Sequence, residues 1–446
     1  MPESSKIRGE ITIPRELFLE IKNNVDSTTS FKKKLEEVLD ENISKVLEVI
    51  LAGGIVLGSS DIHIEPEEDS AKLRLRVDGV LQDVFFFNRK TYDSFLSRIK
   101  LLSGVKLNIT QKSQDGRFTI VTPELLIGRR GISIKKDDEE MIEVRASTLP
   151  SEYGETIVLR ILNPKGLVDI EDLGLRKGLK EMFENEIKKP NGMIILTGPT
   201  GSGKTTTLYA ILKNIRKPEI KIVTIEDPIE YHLKGISQTE VHKEKGYDFA
   251  SGLRSIVRQD PDVILVGEIR DFETAQIALQ AALTGHLVLS TLHTNDAAGT
   301  IPRLQALGEK PYNIGPALNA VIAQRLVRKV CQCSEKTEMS EDEYQKISSA
   351  LKDVPQDIVS YSKETKIPRK AGCSKCNKTG YKGRIGIFEM LLVDDDMENL
   401  ILSSPSSVDI KRKAIENGML TVYQEGVIKV LNGETTLDEI ERVAVF

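Results

Sequence analysis

The spacing of apolar residues changes character twice along this chain. In FKKKLEEVLDENISKVLEVI (31–50), Leu35, Val38, Leu39 and Val46 recur at helical intervals, which predicts an amphipathic helix. With the polar, charged stretch before it, this makes residues 1–43 a helical lead-in. From Asp61 to Leu162 the pattern alternates, as in AKLRLRVDGVLQDVFFF (71–87) and EVRASTLP (143–150). Alternation of that kind marks half-buried strands joined by turns, so residues 44–162 are expected to form a small α+β domain. ILNPKGLVDIEDLG (161–174), with Pro164 and two glycines, reads as a linker over 163–174. Over 175–330 the strands become apolar throughout (MIILTG, KIVTIED, DVILVGE, HLVLSTL) and alternate with helix formers such as TTTLYAILKNI and ETAQIALQAAL. Strands with no polar side need cover on both faces, which predicts a parallel sheet between two helix layers. Residues 331–385 hold every cysteine, and 386–446, with SSVDIKRKAIENGM and LDEIERVAVF, read as a C-terminal helical region.

Composition narrows the class. A chain of 446 residues is too long for one ordinary core, and 29% charged against 39% apolar residues fits a globular protein. The formal charge of −5 gives no support to a protein that tracks along nucleic-acid phosphates, so no direct nucleic-acid partner is expected. MPESSKIRGE lacks the apolar core of a signal peptide, and a cytoplasmic location is expected. The most apolar window, VLEVILAGGIVLG (46–58), contains Glu48 and three glycines and is shorter than the roughly 18 residues of a spanning helix. No transmembrane segment is expected, and membrane contact would run through a partner.

The chemistry begins at GMIILTGPTGSGKTTTLY (192–209). Gly198, Pro199, Thr200, Gly201, Ser202, Gly203, Lys204 and Thr205 fit the phosphate-loop pattern at every fixed position, with Thr206 following, between an apolar strand and a helix-forming run. The glycines let successive backbone N–H groups turn inward and form an anion nest at a helix N-terminus. Lys204 would neutralise β- and γ-phosphate charge, and the Thr205 hydroxyl would ligate Mg²⁺. Hydrolysis also needs carboxylates at neighbouring strand ends. IVTIEDPIEY (222–231) offers Glu226, Asp227 and Glu230, and DPDVILVGEIRD (260–271) offers Glu268 and Asp271. In most phosphate-loop enzymes the second strand ends in Asp, whereas here VILV ends in Gly267-Glu268. The longer Glu268 would reach the metal through a water. LTGHLVLSTLHTND (283–296) sets His286 and His293 around a further strand; either is a satisfied polar residue, or His293 at the strand end senses the γ-phosphate.

Taken together with SDIHIEP (60–66), RVDGVL (76–81), QDGR (114–117), VRASTLPSEYGETIVLRIL (144–162), CNKTGYKGRIGIFEML (376–391) and ENGMLTVYQEGVIKVLNGETTLDEIERV (416–443), these segments resemble the type II secretion and type IV pilus assembly ATPases. The resemblance covers residues 44–446. It implies a RecA-like P-loop NTPase domain, a smaller N-terminal α+β, PAS-like domain, and a C-terminal zinc-binding and helical part. It also implies a homo-hexameric motor that hydrolyses ATP with Mg²⁺. Such a motor drives pilus or pseudopilus assembly from the cytoplasmic side of the inner membrane, through a platform protein of that membrane. By the same resemblance Glu230 aligns or deprotonates the attacking water, and Glu268, in an atypical Walker B segment, organises Mg²⁺. His286 and His293 form the family's histidine box, and Arg145 and Arg160, delivered from the preceding domain, complete the nucleotide pocket. Many members carry a long N-terminal domain ahead of the shared region, where this sequence has residues 1–43.

Members of this family often show two C-x₂-C pairs that converge on a tetrahedral Zn²⁺. Here Cys373 and Cys376 have that spacing, while Cys331 and Cys333 are one residue closer. Alternate residues of an extended segment share a face, so the four hold either a structural Zn²⁺ or four free thiols. A retraction motor would share the engine, but such relatives generally lack the cysteine segment. A nucleic-acid translocase of the RecA-like class would instead show DNA-stimulated, salt-sensitive hydrolysis.

Overall fold

The computed structural model describes residues 9–128, 131–163 and 167–444, of which 124–139 by backbone alone. The first eight residues of the expected lead-in and Pro164 of the expected linker lie outside the described residues. The chain divides into two compact units: residues up to 166 with 371–382, and residues 167–370 with 383–446.

In the first unit, β1 (Gly9–Thr12), β2 (Ser59–Pro66), β3 (Ser70–Val77), β4 (Val80–Asn88), β5 (Gln114–Gly128), β6 (Gly131–Ser151) and β7 (Gly154–Leu162) form one sheet ordered β1-β5-β6-β7-β2-β3-β4. β1 runs parallel to β5, and the pairings among β2 to β7 are antiparallel. Helices α1 (Arg15–Asn24), α2 (Thr28–Val38), α3 (Ile43–Val56) and α4 (Arg89–Ser103) bury their apolar stripes with one face of that sheet. Phe18, Phe31, Leu35 and Ile50 pack in the same core as Ile62, Leu73, Val144 and Leu159. Burying such side chains is worth about 1.5–3 kcal/mol each. The segment read as a lead-in is therefore core-forming: β1 extends the sheet, and α1 and α2 contribute to its cover. The helix predicted across 31–50 is broken in two. Its second half starts where the Asn42 side chain accepts the Lys45 N–H at 3.0 Å, because a short polar side chain competes with the helix for its own backbone. Gly53 lets the two halves approach, since a Cβ there would lie 2.2 Å from the Phe31 ring.

The second unit contains β8 (Gly192–Thr197), β9 (Ile222–Glu226), β10 (Ser237–Glu240), β11 (Val263–Val266), β12 (Leu287–Leu292), β13 (Leu318–Val330) and most of β16 (Tyr381–Leu392), ordered β10-β9-β11-β12-β8-β13-β16. β14 (Glu335–Glu338) and β15 (Lys366–Arg369) form a separate antiparallel pair. The pairings from β10 to β13 are parallel. Its helices are α5 (Lys177–Glu186), α6 (Lys204–Ile215), α7 (Phe249–Val257), α8 (Phe272–Leu283), α9 (Thr300–Leu307), α10 (Pro311–Ile314), α11 (Glu341–Ala350), α12 (Asp395–Leu402), α13 (Ser407–Glu416), α14 (Val422–Leu431) and α15 (Leu437–Ala444). Alternate residues of each central strand enter different cores. Met193, Ile195 and Ile264 pack with Leu253 and Leu279 of α7 and α8, while Ile194, Leu196 and Leu265 pack with Phe183 and Leu208 of α5 and α6. That two-sided burial is why these strands read as unbroken apolar runs.

One feature of the C-terminal region differs from the sequence reading. Residues up to 392 form a strand at the edge of this sheet rather than helix. α15 is anchored on β13, where Arg328 grips buried Glu439 with Nε at 3.0 Å and a terminal nitrogen at 2.7 Å. Burial pushes the Glu439 carboxyl up, but its bonds to Arg328 and Arg442 outweigh that and hold it at about 2.

Candidate nucleotide site

Parallel strands bring their C-terminal ends to one edge, so the loops after β8, β9, β11 and β12 share that edge. After β8 the backbone passes through Gly198, Gly201 and Gly203 at φ 144°, 78° and 91°, values that L side chains adopt only with strain. Gly198 is also closely enclosed: a Cβ there would lie 2.5 Å from the Gln324 carbonyl and 3.0 Å from the Arg325 guanidinium. α6 begins at Lys204, whose buried ammonium donates to the carbonyls of Gly198 at 2.7 Å and Pro199 at 3.2 Å. Burial is the main force that lowers its pKa to about 8, with Arg325 acting in the same direction and Glu268 against it. Thr205 is exposed in the first turn of α6, Thr206 half-buried and Ser202 buried.

After β11, Glu268 lies 2.5 Å from Arg270 and 3.8 Å from His293 Nε2. Burial and the Lys204 charge hold His293 below its ordinary value, and its ring engages the Gly198 backbone. Lys204, Glu268 and His293 thus meet around the glycine loop. The other histidine of the expected pair does not join them. His286 precedes β12 at the opposite sheet edge, where its Nδ1 lies 2.9 Å from the Ala281 carbonyl and its own carbonyl accepts the Gly192 N–H at 3.1 Å.

Glu230 is half-buried in the segment after β9. The loops are knitted together by hydroxyls that sequence reasoning did not single out. Thr197 at the end of β8 accepts the Thr294 N–H at 2.8 Å, and Thr294 donates to the Asp296 carbonyl at 2.8 Å. On β13, Gln324 and Arg325 are 2% and 3% exposed; Gln324 accepts from Thr207 of α6 at 2.9 Å, and Arg325 donates to the Gln324 carbonyl at 3.0 Å. Their signal in the sequence was a polar pair inside the apolar run LNAVIAQRLV (318–327), which a buried strand keeps only where partners await it.

In the first unit, Arg145 and Arg160 face each other in register on β6 and β7. Arg117 is opposite Arg145, Asp61 opposite Arg160, and Arg76 opposite Asp61, so one row of charges crosses five strands. Asp61 accepts from Arg160 Nε at 3.0 Å and lies 3.3 Å from Arg76 Nε.

The sulfur atoms of Cys331, Cys333, Cys373 and Cys376 all lie within 4.8 Å of one another, and no disulfide joins them. Cys373 and Cys376 are 3.8 Å apart, close to the spacing of two sulfurs about 2.3 Å from a shared tetrahedral Zn²⁺. The Cys376 sulfur also accepts the N–H groups of Cys373 at 3.2 Å and Gly380 at 3.3 Å. Four thiols in this arrangement can hold a metal ion.

The chain matches the family described as Type II/IV secretion system protein over residues 36–442. It is 42% identical to the type II secretion system protein E of Dickeya dadantii, over 96% of this chain and 82% of that one. It is 39% identical to the type IV pilus assembly ATPase PilB of Thermus thermophilus, over 92% of this chain and 44% of that longer one. Among solved structures it is similar to the pilus retraction motor PilT with bound ADP, at a TM-score of 0.57 and 26% identity, over 89% of this chain and 96% of that one.

Proposed function

The chain belongs to the type II/IV secretion system protein family, and from that premise we propose that it is the ATP-hydrolysing motor of a machine that assembles a type IV pilus or a type II secretion pseudopilus. The observation that carries this reading is the convergence of Lys204, Glu268 and His293 on a glycine loop at the C-terminal edge of a parallel sheet.

In-line attack of water on a γ-phosphate needs positioning and charge neutralisation more than covalent chemistry. Backbone N–H groups of the glycine loop and the N-terminus of α6 receive the phosphates. The Lys204 ammonium exchanges its loop carbonyls for β- and γ-oxygens. Thr205, with its exposed position, and Glu268 are the residues that would hold Mg²⁺, whose charge offsets that of the phosphate oxygens. Glu230 orients the attacking water and takes its proton, and His293, already on the Gly198 backbone, reports the presence of the γ-phosphate. Arg145 and Arg160, displayed on the open sheet face of a PAS-like N-terminal unit, supply charge to the γ-oxygens of the transition state. The working form is a homo-hexamer, in the cytoplasm, peripheral to the inner membrane through a platform protein. Among the described residues no helix is long and apolar enough to cross a membrane.

The deciding experiment is Mg²⁺-dependent ATP hydrolysis by the purified protein and by Glu230→Gln. The variant is expected to keep nucleotide affinity and to lose turnover by about 100-fold, because only the water is misplaced; wild-type turnover in it would remove Glu230 from the reaction. The four cysteines hold a structural Zn²⁺. Elemental analysis is expected to find about one zinc per chain, lost in the Cys373→Ser, Cys376→Ser double variant. Less than about a tenth of an equivalent, in protein never exposed to chelator, would mean free thiols.

A further inference from the structure

Behind the nucleotide site lies a buried polar cluster with no part in phosphate binding. Tyr209 and Glu226 are 1% and 3% exposed. Tyr209 sits on α6, the helix that Lys204 begins, and its hydroxyl donates to the Glu226 carboxylate at the end of β9. That carboxylate also accepts from Thr224 at 2.6 Å and from the Gln238 amide at 3.2 Å. Gln238, on β10, uses its remaining capacity on the segment that carries Glu230: it donates to the Tyr231 carbonyl at 3.0 Å and accepts the Leu233 N–H at 2.7 Å. The Tyr209 hydroxyl reaches the same segment directly, taking backbone hydrogen bonds from Glu230 and Tyr231, while its ring meets Tyr231 edge-on at 6.0 Å. Burial, reinforced by Glu226, pushes the Tyr209 phenol far above its ordinary range and keeps it a donor.

A hydroxyl that gives its proton to one strand end and receives the backbone of the next loop fixes both to its own helix. We propose that Tyr209, braced by Glu226 and Gln238, is a positioning residue for Glu230, locking the carboxylate segment to the phosphate-loop helix so that the attacking water is aimed at the γ-phosphate. This rests on Glu230 being the water-orienting carboxylate. It predicts a particular kinetic signature: loss of the hydroxyl changes the catalytic step and leaves phosphate binding alone, because the Lys204 ammonium is held by the Gly198 and Pro199 carbonyls and not by this cluster.

Tyr209→Phe removes one oxygen and keeps the ring. In the full chain it is expected to lower kcat at least tenfold, with Kd for ADP by isothermal titration and KM for ATP each within twofold of wild type. Gln238→Ala is expected to produce the same split with a smaller loss. Because Tyr209 acts through Glu230, Tyr209→Phe combined with Glu230→Gln should be no slower than Glu230→Gln alone. If Tyr209→Phe turns over normally while Glu230→Gln is inactive, the clamp is overturned and the role of Glu230 stands. If Glu230→Gln turns over normally, both are overturned. A parallel rise in KM and Kd, or losses that multiply in the double variant, would also overturn the clamp. Should Tyr209→Phe fail to fold, the same cycle with Gln238→Ala and Glu230→Gln decides.

Discussion

The two sheets of this protein solve the same burial problem in opposite ways. In the first unit the described helices cover one sheet face, so inward apolar residues such as Val144, Ala146, Ile157, Leu159 and Leu73 alternate with outward charged ones such as Arg145, Arg160 and Arg74. The open face can therefore carry chemistry anywhere along a strand, and the Arg117, Arg145, Arg160, Asp61, Arg76 row runs across the middle of it. In the second unit both faces are buried, β8 and β12 have no exposed residue at all, and chemistry is displaced to the loops where the strands end. A one-faced sheet displays charge; a two-faced sheet frames a site at its edge. Each kind of site should then fail differently when its residues are removed.

The largest effect is expected at the strand-end site. Lys204→Ala deletes a charge that the loop geometry brings to the phosphates, and turnover should fall by at least about 100-fold while circular dichroism stays unchanged. Unchanged turnover in folded protein would sink the edge-of-sheet site as the engine. Arg145→Ala and Arg160→Ala test the displayed face. Each should slow turnover at least about tenfold, or roughly 1.4 kcal/mol of barrier, while circular dichroism shows the chain still folded. An exposed arginine with no such part would change little, so near-normal turnover in the double variant would reduce the row to surface charge.

The smallest effect sharpens the contrast through pH. Lys204 binds phosphate as the ammonium, and its pKa of about 8 in the free protein comes chiefly from burial. As pH rises through that value the binding form is lost, so kcat/KM for ATP should be halved near pH 8 and continue to fall above it. At saturating ATP the phosphate charge favours the ammonium, and kcat should hold to higher pH. A kcat/KM profile flat to about pH 9.5 would show that the Lys204 proton is held more tightly than its burial implies.

Much of the strand-end site was legible because its residues act through spacing alone. Gly198, Gly203, Lys204 and Thr205 lie within one turn, and the local backbone that joins strand to helix places them whatever the surroundings. His286 and His293 show where spacing stops being informative. They flank the same strand, so the sequence presents them as a pair, yet a six-residue extended strand carries them to opposite edges of the sheet. Tyr209 and Gln238 were invisible for a related reason: each looks like an ordinary helix or strand residue until a second element arrives with its partner.

By itself, then, the sequence determined the period of each region, and with it a one-faced sheet followed by a two-faced parallel one, along with the phosphate loop and the carboxylates that end β9 and β11. Tertiary structure decided what depends on contacts between distant segments. Helices α1 and α2 become part of a core rather than a lead-in because Phe18 and Phe31 find Leu73 and Val144. The last helix is bound to β13 because Glu439 finds Arg328 across more than a hundred residues of chain. Periodicity is a property of neighbours and can be read along the chain, whereas burial and hydrogen bonding are properties of pairs, settled only when the chain brings the two members together.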